Sequence, residues 1–260
     1  MILALRSVLF TLYMVASGII AATVVFVGFW APYRFKWWIT VAWCRGMVWA
    51  GSFFCGLKVE VEGRENIPDE ASVIMIKHTT TLETYWHVTV FPRTSWVVKR
   101  ELLWIPMFGW AIAFLLQPIG INRSAGRSAA KQVIEMGTQR LKEGVWVTIF
   151  PEGTRMPPAE TRRYGTSGAA LAQAAGVKIV PVAHNAGDFW PRRGFFKRPG
   201  KVRIRIGEPM DAPADKSPKQ INLDVQRWIE GTMLEISDVY KATYGDQHPL
   251  NDKDFANDRS

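Results

Sequence analysis

Apolar and polar positions follow two different rhythms along this chain, and the change comes near residue 57. Residues 8–30, VLFTLYMVASGIIAATVVFVGFW, are almost continuously apolar. That length is close to the roughly 20 residues that span a hydrocarbon core. A second apolar stretch, 37–57, carries Arg45 in its middle. An unpaired Arg at the centre of a bilayer is costly, so this stretch is expected flat in the interface or docked on the protein. Pro32 breaks the chain between the two helices. A secretory signal would show a shorter apolar region, and no second apolar stretch would be expected to follow it.

Beyond residue 57 short strand-like runs alternate with helical ones. LKVEVEG (57–63) and KVRIRIG (201–207) alternate apolar and charged residues, as half-buried strands do. SVIMIK (72–77), SWVVK (95–99), PIGIN (118–122), VWVTIF (145–150) and VKIVPVAH (177–184) read as further strands. Helices are predicted over 81–90, 107–116, 127–142, 168–175 and 218–240. Pro181 within a strand run suggests a shaped wall or an edge strand. The alternation predicts an α/β fold, a mixed sheet covered by helices, behind an N-terminal hydrophobic helical membrane motif. Three regions follow: a membrane-embedded helical segment over 1–56, a catalytic-sized domain over 57–245, and a disordered tail over 246–260, which is polar and lacks an apolar period.

Charge then narrows the partners. Lys and Arg exceed Asp and Glu to give a net charge of +9. Such a surface suits nucleic acid, anionic lipid or an anionic substrate. Five of the twelve tryptophans, at positions 30, 37, 38, 43 and 49, crowd beside the apolar N-terminus, and Trp favours the headgroup zone of a bilayer. No nucleic-acid motif is present. Cys44 and Cys55 have no metal-ligand spacing and make no disulfide framework, which fits a reducing compartment.

Candidate chemistry gathers at the predicted strand ends. In KHTTTLETYW (77–86), His78 follows a strand and Glu83 lies five residues on. On one helix they would point about 140° apart, so they meet only if His78 lies in the loop and Glu83 in the first helical turn. A carboxylate fixes the tautomer of a His and stabilises its imidazolium, so that it can take a proton from an attacking hydroxyl. Thr80 and Glu83 also have capping-box spacing, a structural role compatible with the catalytic one. FPEGTR (150–155) places Glu152, Gly153, Thr154 and Arg155 after another strand, where α/β sheets meet ligands; Gly permits close backbone approach and Arg offers a planar fork for phosphate. GINR (120–123) delivers Arg123 in the same way, and Lys99 follows a third strand. Phosphate-loop, dinucleotide and HExxH motifs are missing, the nucleophile elbow is incomplete at Ala169, and His87, His184 and His248 lack metal-ligand companions.

Taken in order, HTTTLE, GINR, FPEGTR and IVPV resemble the glycerolipid acyltransferase family, and most closely its bacterial 1-acyl-sn-glycerol-3-phosphate acyltransferases, over residues 57–210 with a similar hydrophobic N-terminus. That resemblance implies a fold like that of glycerol-3-phosphate acyltransferase. It implies a donor thioester on coenzyme A or acyl carrier protein, a lysophosphatidate acceptor, and no other cofactor. It makes His78 the general base and Glu83 its orienter, with Lys99, Arg123, Glu152, Gly153, Thr154 and Arg155 at the acceptor. It places the enzyme at the bacterial inner membrane with the catalytic domain facing the cytoplasm. One departure is that the commonest family carboxylate is Asp, where this chain has Glu83. Glycerol 3-phosphate, another lysophospholipid or a lyso-ornithine lipid are alternative acceptors, and a non-catalytic anionic-lipid binder is the alternative of another class.

Overall fold

The computed structural model describes residues 1–105, 108–122 and 125–250. Two helices open it, α1 (Ile2–Val27) and α2 (Tyr33–Cys55). Gly56, at φ +70°, adopts the left-handed conformation that ends α2 and turns the chain into β1 (Leu57–Glu62). Then come β2 (Val73–Ile76), α3 (Leu82–Val90), β3 (Thr94–Lys99), α4 (Phe108–Leu116) and β4 (Ile119–Ile121). They are followed by α5 (Arg127–Lys142), β5 (Trp146–Ile149), α6 (Ser167–Ala175), β6 (Ile179–His184) and the one-turn α7 (Ala186–Phe189). The described chain closes with β7 (Gly200–Ile206), α8 (Pro218–Ile236) and α9 (Asp238–Tyr244).

The seven strands lie in the order β1-β7-β6-β2-β5-β3-β4. Every pairing is parallel except β6 with β7, so the sheet is mixed, as expected. Strands β6, β2, β5, β3 and β4 therefore end along one edge of the sheet. Alternation sorts the side chains between two cores. Ile74, Ile76, Trp146, Val180 and Val182 face α2 and α3, whereas Val73, Met75, Val147, Ile149 and Ile179 face α5, α6 and α8.

Three expectations are refined. Pro181 lies on an inner strand, not at an edge. Its carbonyl accepts from Gly207 N–H at 2.9 Å, and the next contact across is the Ile179–Met210 bridge. Two steps along β6 thus oppose three along the segment after β7, a bulge that accommodates the missing donor. The terminal helix predicted over 218–240 is broken at Ser237, whose hydroxyl accepts from Tyr240 N–H and starts α9. Within the tail predicted over 246–260, Leu250 is buried and His248 meets the Arg227 carbonyl; residues 251–260 lie outside those described, as does Met107 of the predicted 107–116 helix.

α1 has an inverted surface. Its buried positions are Ser7, Phe10 and Val25, while Leu5, Leu12, Ile19, Ile20 and Val27 are exposed. Among the described residues it alone is long and apolar enough to cross a membrane, and 11% of its most apolar window is buried. Its polar positions hold the α/β domain, with Ser7 Oγ accepting from Lys197 N–H (3.0 Å) and Thr11 Oγ1 from Lys197 Nζ (2.9 Å). α2 docks on the domain with Arg45 exposed, and Trp43 stands edge-on to Tyr85 of α3 at 5.4 Å.

Candidate active site

β2 runs out of the sheet into Lys77 and His78, and strand alternation sends these neighbours to opposite faces. His78 follows Ile74 and Ile76 towards α3 and stacks on Phe150 at 4.2 Å between ring centroids. Lys77 follows Val73 and Met75 towards α8 and is fully buried.

His78 lies in the loop and Glu83 in the first turn of α3, the arrangement that the five-residue spacing required. Glu83 Oε1 contacts His78 Nδ1. Glu83 Oε2 accepts from the backbone N–H of Thr80 (2.9 Å) and Thr79 (3.3 Å) and lies 3.2 Å from His184 Nε2. The carboxylate therefore makes the capping contact and the histidine contact together, one oxygen to each. Burial pushes the Glu83 carboxyl up, but its contacts with His78 and His184 outweigh it and hold the group at about 2. An ionised carboxylate only accepts, so Nδ1 of His78 carries the hydrogen. Nε2 has no protein partner among the described residues, and the His78 side chain is 17% exposed.

The loop after β5 clasps this turn. Met156 N–H donates to the His78 carbonyl at 2.6 Å, and Arg155 Nη1 to Thr81 Oγ1 at 2.8 Å. Arg192 Nη1 in turn donates to the Arg155 carbonyl at 2.9 Å. Gly153 sits at φ +67°, a conformation that glycine adopts without strain, in a turn that leaves Thr154 half-buried. Glu152, expected at the acceptor, points inward. It is 3% exposed, its Oε1 accepts from His78 N–H at 3.2 Å, and its Oε2 has no hydrogen-bond partner among the described residues. Lys99 is exposed at the end of β3, in register with Ile121. Arg123 lies outside the described residues.

A polar group that the motifs did not disclose underlies the site. Lys77 Nζ lies 2.7 Å from Glu230 Oε1 and 3.6 Å from Glu152 Oε1, all fully buried. Glu230 also accepts from Thr161 Oγ1 (2.8 Å), Tyr164 OH (2.9 Å) and Tyr240 OH (2.8 Å). Burial and the nearby carboxylates push both phenols well up, so they stay O–H donors. Burial pushes the Glu152 carboxyl up, against the pull of Lys77. The signal in the sequence was a second stripe on α8: Asn222, Gln226 and Glu230, four residues apart, flank the apolar Ile221, Val225 and Ile229. That stripe fastens the chain after FPEGTR, since Asn222 Nδ2 donates to the Tyr164 carbonyl and Gln226 Nε2 to the Arg162 carbonyl.

Of the histidines set aside as metal ligands, His87 is a core residue bonded to Thr148 Oγ1 at 3.0 Å, its pKa lowered by burial to about 3. No metal-binding cluster occurs among the described residues. His184 lies within the site, placed by the same alternation that puts Val180 and Val182 on the His78 face.

An acyltransferase family model matches residues 58–185. The chain is 42% identical over 243 residues, 91% of its length and 93% of the other, to a 1-acyl-sn-glycerol-3-phosphate acyltransferase of Pseudomonas aeruginosa. It is 30% identical to the mouse 1-acyl-sn-glycerol-3-phosphate acyltransferase alpha over 61% of this chain and 56% of that one. The solved structure of the 1-acyl-sn-glycerophosphate acyltransferase of Thermotoga maritima superposes with a TM-score of 0.74 at 22% identity, covering 89% of this chain and 94% of that one, and so shares its fold.

Proposed function

We propose that this chain, which belongs to the acyltransferase family, moves a fatty acyl group from an acyl thioester to the sn-2 hydroxyl of 1-acyl-glycerol 3-phosphate, forming phosphatidic acid for phospholipid synthesis. The observation that carries the reading is the His78–Glu83 pair at the end of β2, with an anionic carboxylate on Nδ1 and an open Nε2.

The chemistry follows from that geometry. Nε2 of His78 takes the proton of the acceptor hydroxyl as its oxygen attacks the thioester carbonyl. Glu83 balances the imidazolium that forms. As the tetrahedral intermediate collapses the C–S bond breaks, and His78 returns its proton to the leaving thiolate. The ester and the free thiol are the products, and the step as written uses no cofactor beyond the donor, acyl-coenzyme A or acyl carrier protein. Arg155 is tied to the His78 turn through Thr81 and the neighbouring Met156, which supports its role at the acceptor phosphate. Lys99, exposed at the end of β3, extends the cationic side of the acceptor site, with Gly153 and Thr154 giving backbone access, and the GINR motif assigns Arg123 to the same role. Glu152 takes part by holding the His78 backbone.

The exposed apolar face of α1 supports attachment to the phospholipid bilayer, where acceptor and product reside. The unpaired Cys44 and Cys55 are consistent with a domain on the cytoplasmic side of a bacterial inner membrane. The test is the purified full-length enzyme offered lysophosphatidate with acyl-coenzyme A or acyl carrier protein, products being identified by mass. Phosphatidic acid should form with wild type and not with a folded His78→Ala variant. Turnover by that variant, or none by wild type, refutes the reading.

A further inference from the structure

We infer that His184 is a positioning residue of this site: its Nε2–H, shared between the Lys77 carbonyl and Glu83 Oε2, holds the carboxylate that orients His78. The inference rests on the reading of His78 as the base.

His184 ends β6, the strand beside β2, and is fully buried. Its tautomer is dictated from both sides. Ala186 N–H approaches Nδ1 at 3.3 Å, so that nitrogen accepts and carries no hydrogen. Nε2 lies 2.7 Å from the Lys77 carbonyl and 3.2 Å from Glu83 Oε2, both acceptors, so it carries the hydrogen and shares it. The Trp86 ring stands edge-on to the imidazole at 5.5 Å and restricts its plane. A histidine that merely filled the core would need one partner; this one joins the last residue of the chain leaving β2 to the first turn of α3, the two pieces whose separation sets the His78–Glu83 contact. The charged groups facing it are Glu83 from α3 and Asp188 from α7, and Asp188 is itself tied to Ser237 at 2.7 Å.

The remaining donors to Glu83 Oε2 are backbone N–H groups of the His78 turn itself, Thr79 and Thr80. They move with that turn, whose backbone is held by Glu152 and Met156. His184 joins the Glu83 carboxylate itself to the neighbouring strand, so its loss should act on turnover while leaving the substrate contacts in place.

The experiment compares wild type, His184→Phe and His184→Gln, full-length in detergent micelles, with lysophosphatidate and acyl-coenzyme A. Phe keeps the ring against Trp86 and lacks the N–H; Gln can present an N–H near the Nε2 position. His184→Phe should lower kcat roughly tenfold to a hundredfold with KM unchanged, the size expected for a hydrogen bond to a charged group, and His184→Gln should restore most of it. A stable Phe variant with wild-type kcat, or a loss that appears in KM or that Gln does not relieve, overturns the inference. If His184→Phe does not fold, nitrogen-15 NMR of the wild type decides: neutral His184 with hydrogen on Nε2 supports it, and a hydrogen on Nδ1 or a charged ring overturns it. Activity retained by His78→Ala would instead refute the base assignment, and the NMR result would still report on the His184 hydrogen bond.

Discussion

Replacing Glu83 by Gln separates a helix cap from a catalytic partner, because the structure shows how the four neighbours of this carboxylate compete. His78 Nδ1, Thr79 N and Thr80 N present hydrogens to it, and His184 Nε2 lies 3.2 Å from Oε2. An amide has one oxygen to accept and an NH₂ that must face something. With the oxygen towards Thr80 and His184, the cap survives, and the NH₂ meets His78 Nδ1. That nitrogen must then accept, which drives the hydrogen to Nε2, the atom that has to receive the hydroxyl proton. The reverse orientation sets the NH₂ against three donors and costs more. The expected product is a folded enzyme with the wrong His78 tautomer. In a serine protease triad the corresponding carboxylate-to-amide change costs about 10⁴ in turnover; here the loss should be roughly 10²- to 10⁴-fold. Glu83→Asp keeps the charge with a shorter reach and should retain part of the activity. Initial rates followed by mass spectrometry, on variants matched to wild type in thermal unfolding, make the comparison. Near-normal turnover in a stable Gln variant would reduce Glu83 to a helix cap and remove the dyad.

Four further outcomes are expected. Lys77→Met leaves two buried carboxylates without their cation and should destabilise by about 3–5 kcal/mol; adding Glu230→Gln should recover a large part, and strictly additive losses in a double-mutant cycle would contradict the coupling. Because the Glu83 pKa is lowered on folding, its stabilisation is complete above the ordinary value of 4.5 and is lost as pH falls towards about 2; melting temperature against pH should flatten in that window in Glu83→Gln, and an unaltered slope would refute it. Arg155→Ala should raise the acceptor KM roughly tenfold to a hundredfold, with Lys rescuing only in part, and unchanged acceptor kinetics would remove it from the phosphate site. Leu12, Ile19 and Ile20 changed together to Ser should release the protein from membranes at alkaline pH without unfolding the domain, whereas deleting residues 1–56 should aggregate it, since α2 contributes Met47, Ala50 and Cys55 to the core; full membrane retention by the triple variant would contradict the reading of α1.

The elements and the His78–Glu83 contact were legible in the sequence because both depend on local order. Alternation over 57–63 and 201–207, the apolar runs between them, and the change of rhythm near residue 57 set strands, helices and the apolar helical start, and the five-residue gap from His78 to Glu83 already required a loop followed by a helical turn. Tertiary structure decided the rest, because it depends on which strands lie side by side. The placing of β6 beside β2 brings His184 to Glu83 across more than a hundred residues of chain, a partner that no spacing could reveal. The crossing of α8 over the far face gives Lys77 its carboxylate and explains why Asn222, Gln226 and Glu230 interrupt a core-facing helix. Glu152 read as a ligand residue because its motif ends a strand, yet burial beneath His78 turns it into a support; a side chain's direction at a strand end follows from the packing on each face of the sheet, which a linear pattern does not contain.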